Sequence, residues 1–186
     1  MRATPVEGSP DLSLDDFSAV FDAHFNEIYG YIVQRLGHGQ AEDVVAETFL
    51  AAFRKRARYD PARASIRTWL FGIATNLIGK HRRTEARALR AMARHGLPVD
   101  SPGHEERVTA QLSAETLRPA LAKAIAGLGR GERDVLLLAA LAGLSHEEIA
   151  NALGIAYGTV GSRLSRARTK IRAALGGTNP MEVSHG

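Results

Sequence analysis

Thr159, Arg163, Arg166 and Lys170 recur at i, i+4, i+7 and i+11, so a helix would carry all four on one face. Guanidinium groups in such a row can take guanine edges through two hydrogen bonds or grip phosphates; the hydroxyls of Thr159 and Ser162 can do either more weakly. Tyr157 opens the same segment, which runs to Arg172 with five basic residues and no acidic one. Val160, Leu164, Ala167 and Ile171 repeat the spacing on another face and give the helix a buried side. A solvated basic face is the plain alternative, and what precedes the helix separates the two readings. In HEEIANALGIAYG, Ala150 is small where two helices cross and Gly154 can take the positive φ that ends the first of them. Ile149, Leu153 and Ile155 supply apolar contacts. This is the spacing of a helix-turn-helix whose second helix enters a DNA groove. HEEIA is not a zinc-binding H-E-x-x-H, because Ala150 stands where the second histidine would be.

A second constellation lies far upstream. Asn76, Lys80, Arg83 and Arg87 share the i, i+4, i+7, i+11 pattern and would project an amide and three cations from one side of a helix, as an extended anionic partner requires. Tyr59, Trp69 and Phe71 lie nearby in sequence, and aromatic rings beside a cationic groove can hold unstacked bases. Trp69 also falls on the apolar stripe of that helix, which favours packing for it.

These residues need helices to position them, and the pattern supplies helices throughout. Phe17, Val20, Phe21, Phe25, Ile28, Ile32 and Leu36 keep helical spacing from a start near Ser13 up to Gly37. Ala41, Val44, Val45, Phe49 and Ala52 give a second helix from near Gln40, with acids early and Arg54 to Arg58 late, as the helix dipole favours. Tyr59 to Ala64 is a loop, and Ser65 can cap a long third helix with Ile66, Trp69, Leu70, Ile73, Ala74, Leu77 and His81 inside. Gly96, Pro98, Pro102 and Gly103 mark a linker. Leu117, Leu121, Ala124, Ile125 and Leu128, then Val135, Leu136, Leu138, Ala139 and Leu141, supply two more helices beneath the helix-turn-helix. The expectation is an all-α protein of two small helical domains: a leader over 1–12, a first domain over 13–94, a flexible linker over 95–113, a second domain over 114–176 and a tail over 177–186.

Composition fits a nucleic-acid partner. The 186 residues carry a net charge of only +4, unevenly placed: Met1 to Glu47 has two basic residues against nine acidic, whereas Arg54 to Arg94 has twelve basic against two acidic. The absence of cysteine excludes disulfides and thiolate metal sites and agrees with a reducing cytoplasm. No stretch reads as a membrane span, and MRATPVEGSP is polar with two prolines, a leader rather than a signal peptide.

Together these parts resemble a bacterial RNA polymerase sigma factor of the extracytoplasmic-function type, a minimal two-domain member of the sigma-70 family. AEDVVAETFLAAF and SIRTWLFGIATNLIGKHRR are similar to region two, and LSHEEIANALGIAYGTVGSRLSRAR to region four. The resemblance implies a transcription initiation factor with no catalytic residues, metal or cofactor of its own. Asp43, Glu47, Thr48 and Phe49 would dock on the clamp helices of the largest subunit of core RNA polymerase, with the flap as a further contact. Tyr59, Asn76, Lys80, Arg83 and Arg87 would serve the minus-ten element, opening the duplex and holding a flipped base of the single strand. Tyr157, Thr159, Ser162, Arg163, Arg166 and Lys170 would read the minus-thirty-five element as duplex. An anti-sigma protein is a candidate partner. Gly161 departs from the family, which usually carries a basic residue there, and Ser165 replaces a larger side chain.

Two other functions compete. A dimeric helix-turn-helix repressor would use the C-terminal unit alone, leaving the basic N-terminal domain unexplained. A nuclease would need Glu42, Asp43 and Glu47 as metal ligands, but they fan outward from one helix with no second acidic cluster to complete a site.

Overall fold

The computed structural model describes residues 14–94 and 112–176. The leader, nearly all of the expected linker and the tail lie outside them. Among the described residues there are seven α-helices and one 3-10 turn, and no strand.

The first domain has three helices. Helix α1 (Leu14–Leu36) turns into α2 (His38–Lys55) through Gly37 alone, whose φ of 80° few other residues tolerate. A 3-10 turn (Arg56–Arg58) and the Tyr59 to Ser65 loop lead to α3 (Ile66–Arg94), capped by the Ser65 hydroxyl accepting from the Thr68 amide at 3.2 Å. Ile28 and Ile32 of α1, Val44, Val45 and Phe49 of α2, and Leu70, Ile73 and Ala74 of α3 close its core. Phe21 was expected on that inner face but is 39% exposed.

The second domain has four. Helix α4 (Leu112–Ala126) begins inside the segment expected to be linker, because no breaker stands between Leu112 and Pro119; the side chain of Leu117 lies outside the description. Helices α5 (Arg130–Leu141), α6 (His146–Leu153) and α7 (Tyr157–Ala174) follow, with Val135, Leu138, Ile149, Val160 and Leu164 buried. Leu141, expected inside, ends α5 at the surface.

The two domains pack on each other, and nearly all their buried apolar residues form one connected cluster. Helix α6 lies across α3 where Gly72 brings the backbones together: a Cβ there would overlap the Ala152 carbonyl oxygen. Thr68 donates to Glu148 at 3.3 Å, and Arg67 reaches the Ala142 carbonyl at 2.6 Å while pairing with Glu27. Helix α5 meets the end of α1 through Arg35 and Asp134, 2.6 Å apart with side chains only 2% and 8% exposed. That pair ends a buried chain of hydrogen bonds: Thr75 and Tyr31 at 2.8 Å, then Arg35 to Tyr31 at 2.7 Å. Burial pulls the Arg35 guanidinium down, but Tyr31 and Asp134 outweigh it and hold it above its ordinary range, so it stays charged.

Candidate nucleic-acid interface

The helix-turn-helix is built from local chemistry. Ser145 caps α6 with a reciprocal pair of bonds, its hydroxyl accepting from the Glu148 amide at 3.3 Å and the Glu148 carboxylate accepting from the Ser145 amide at 2.8 Å. The bond from the Ser145 backbone amide is the main reason the Glu148 carboxyl sits below its usual range. Gly154 takes φ 62°, and the Ile155 amide returns to the Ala150 carbonyl at 3.0 Å, which aims α7 away from α6.

On α7 the predicted row is present. Tyr157, Ser162, Arg166 and Lys170 are exposed, while Thr159 and Arg163 are half-buried. Arg163 is turned toward α5, where a Cβ on Gly131 would stand 2.9 Å from its guanidinium. Glu132 of α5 holds Lys170 at 2.8 Å and lies 4.0 Å from Arg166. The hydrogen bond from Lys170 is the main reason its carboxyl sits below the usual range. Gly161 has open space where a side chain would go. Gly161→Arg should therefore stabilise α7 by up to about 1 kcal/mol, since arginine is a far better helix former. It should also steepen the salt dependence of DNA binding by about 0.9 log units per log unit of salt. Denaturant melts and titrations at two salt concentrations measure both; an unchanged salt slope would place Gly161 off the DNA-facing side.

On α3, Asn76, Lys80, Arg83 and Arg87 are exposed along one side, as their spacing predicts. Lys80 reaches Glu47 of α2 at 3.1 Å, so the two sets of residues assigned to DNA and to polymerase meet. Tyr59 donates to the Ala64 carbonyl at 3.1 Å and lies 5.1 Å from the Trp69 ring, both rings half-buried. Phe71 corrects the expectation of an aromatic platform: it is fully buried, because Tyr31 of α1 meets its ring edge-on and the Arg67 guanidinium lies over it. Asn76 shares a cleft of about 260 Å³ with Arg130, Leu153, Ile155 and Arg163.

The docking residues divide. Asp43 and Glu47 are exposed, whereas Thr48 and Phe49 are buried in the first domain's core, Thr48 bonded to the Val44 carbonyl at 2.7 Å. They orient α2 and leave the surface to the carboxylates and to Leu50, 47% exposed, an apolar residue off the inner stripe that nothing in the sequence singles out. Among the described residues no three histidine, aspartate or glutamate side chains come together as a metal would need. No described helix is long and apolar enough to cross a membrane.

Comparison with known proteins places this geometry. Sigma-70 region 2 matches residues 20–88, and sigma-70 region 4 matches residues 118–171. The chain belongs to the sigma-70 family. Within it the sequence is a sigma factor of the extracytoplasmic-function group: it is 35% identical to the ECF sigma factor SigL of Mycobacterium tuberculosis, over 84% of this chain and 87% of that one. It is 34% identical to the sigma factor CnrH of Cupriavidus metallidurans over 72% of each chain, and 31% identical to CarQ of Myxococcus xanthus over 92% and 95%. The fold is that of the sigma factor RpoE of Bartonella quintana in complex with the anti-sigma factor NepR, with a TM-score of 0.66 over 89% of this chain and all of that one at 24% identity. CnrH in complex with the cytosolic domain of CnrY gives 0.59 over 90% and 92%, at 25% identity. The sigma factor is thus a transcription initiation factor, and its relatives are regulators rather than enzymes.

Proposed function

We propose that this sigma factor joins core RNA polymerase in the cytoplasm and directs it to promoters, with the first domain (13–94) working on the minus-ten element and the second (114–176) on the minus-thirty-five element. What carries the reading is the pairing of two basic helical faces, α3 and α7, on separate domains of one chain. A repressor would need only the second. The relatives solved with anti-sigma proteins support a similar partner here, one that would act on the two domains together.

The packed arrangement does not serve both elements at once. Roughly 25 base pairs at 3.4 Å each put the elements about 85 Å apart, whereas a compact chain of this length has a radius of gyration of about 16 Å. Asn76 and Arg163 moreover face one cleft, so the domains must part before α3 and α7 reach their own segments of DNA. Run-off transcription with purified core enzyme tests the reading: discrete starts on promoters of its own genome are expected. Tight duplex binding with no polymerase-dependent transcript would give the repressor reading instead.

Charge reversal separates the surfaces. Asp43→Lys should weaken capture of core polymerase at least tenfold while leaving DNA affinity unchanged; Glu47 is a poorer choice, because it also holds Lys80. Polymerase capture unaltered in a pull-down would remove α2 from the docking surface. On α7, Arg166→Ala should cost about 1 to 3 kcal/mol on the cognate element and relax preference at one base position, as loss of a base reader does. Lys170→Ala should weaken every sequence alike, as loss of a phosphate contact does. Binding of both variants across single-base changes measures this, and two identical specificity profiles would sink the Arg166 assignment.

A further inference from the structure

The junction of the domains holds a cleft of about 360 Å³, to which the basic face of α3 contributes only Arg83 and Arg87. Seven arginines line it: Arg35 from α1, Arg82, Arg83, Arg87 and Arg90 from α3, and Arg130 and Arg133 from α5. Asp134 is the single carboxylate among them. The one carboxylate in the lining, 2.6 Å from Arg35 and 3.5 Å from Arg130, is outnumbered by the guanidiniums around the space. The crowding is felt by its members: Arg82 and Arg133 are held below the ordinary guanidinium range, first by burial and next by the charge of Arg35. Arg35 also keeps a buried Nε with no hydrogen-bond partner among the described residues, a donor left unsatisfied in the wall of a cationic cleft.

We propose that this cleft binds a compact oligophosphate anion, and that the anion bridges the two domains and holds them packed. Guanidinium forks match phosphate oxygens two at a time, so a chain of two to four phosphates offers the density of charge and acceptors that the arginines require. The dimensions select against nucleic acid as the occupant: the space corresponds to a cube about 7 Å on a side, whereas the major groove alone of a duplex is about 12 Å wide. DNA phosphates would meet Arg83 and Arg87 only from outside. Because α3 supplies one wall and α5 the other, the site exists only while the domains are together, so occupancy and packing favour each other. The site is independent of which promoter the sigma factor reads.

The test uses the full chain and inorganic tripolyphosphate, titrated calorimetrically at physiological salt. Saturable one-to-one binding is expected, weakened at least tenfold by Arg87→Ala on one wall and equally by Arg130→Ala on the other. Both side chains are at the surface, so neither change threatens folding, which circular dichroism checks. Arg54→Ala, outside the cleft, should stay within twofold. As the chain has no cysteine, dyes on Ala46→Cys and Thr169→Cys report the distance between the domains, and tripolyphosphate should narrow it to the packed value. Equal losses in all three arginine variants, or binding that never saturates, would reduce the cleft to general electrostatic attraction and overturn the site. Specific binding with no change in distance would overturn the bridging role.

Discussion

Asp134→Ala is expected to shift the sigma factor from packed to open domains by a factor of a hundred or more. The substitution leaves Arg35 charged and buried, with Tyr31 as its remaining side-chain partner. Breaking a buried ion pair by removing one member typically costs about 3 to 5 kcal/mol, because the survivor keeps its desolvation penalty and loses its compensation. Here the chain has an escape: if α5 leaves the end of α1, the Arg35 guanidinium regains water. Opening therefore relieves the strain that closure would impose, and about 3 kcal/mol is already roughly a hundredfold in the equilibrium. The change also removes the single carboxylate from the arginine cleft, so repulsion among seven guanidiniums acts in the same direction. Small-angle scattering should show an increased radius of gyration, and binding of duplex upstream DNA without polymerase should strengthen as Arg163 comes clear of the junction. An unchanged radius would mean that the ion pair does not hold the domains together.

That pair marks where reading the sequence stops. The helix-turn-helix was legible because its determinants are local: a small Ala150 at the crossing, Gly154 free to take a positive φ, and apolar residues at helical spacing all lie within about twenty residues. The inner stripe of α3 was legible for the same reason. Its other side was not. Thr68, Gly72, Thr75 and Gly79 are all buried, yet as small or polar residues they add nothing to an apolar period, and what covers them lies far along the chain: α6 over Thr68 and Gly72, Tyr31 of α1 on Thr75, and Arg130 of α5 against Gly79. In sequence Arg35 is a last-turn cation of α1, where the helix dipole favours one, and Asp134 is an acid near Arg130 and Arg133. Nothing in either neighbourhood announces a partner 99 residues distant. Thr48 and Phe49 carry two readings: a family motif assigns their whole segment to a docking surface, but the helical period decides which members of the segment face outward, and it places these two toward the core, where they lie.

Gly72→Ala should act in opposite directions on the two levels of structure. Inside α3, alanine is favoured over glycine by about 1 kcal/mol, so the first domain alone should gain stability. Across the junction the added Cβ overlaps the Ala152 carbonyl oxygen and lies 3.1 Å from its carbon. Both are backbone atoms of α6, which cannot rotate aside as a side chain could. Relief requires α6 to move off α3, with the cost of an overpacked contact, typically 1 to 3 kcal/mol. Gly30→Ala is the matched control, because a Cβ on Gly30 meets nothing within 4 Å and should bring only the helical gain. Trp69, the chain's one tryptophan, lies three residues from Gly72 and reports unfolding of α3. The expected signature is a higher denaturation midpoint for Trp69 in both variants, but an increased distance between the domains in Gly72→Ala only. Since Asp134→Ala and Gly72→Ala loosen the same packed state, the double variant should be scarcely more open than either alone, the non-additivity of changes acting on one interface. Equal interdomain distances in the Gly72 and Gly30 variants would mean that α6 does not rest on α3 in solution, and the cleft that Asn76 shares with Arg163 would fall with it.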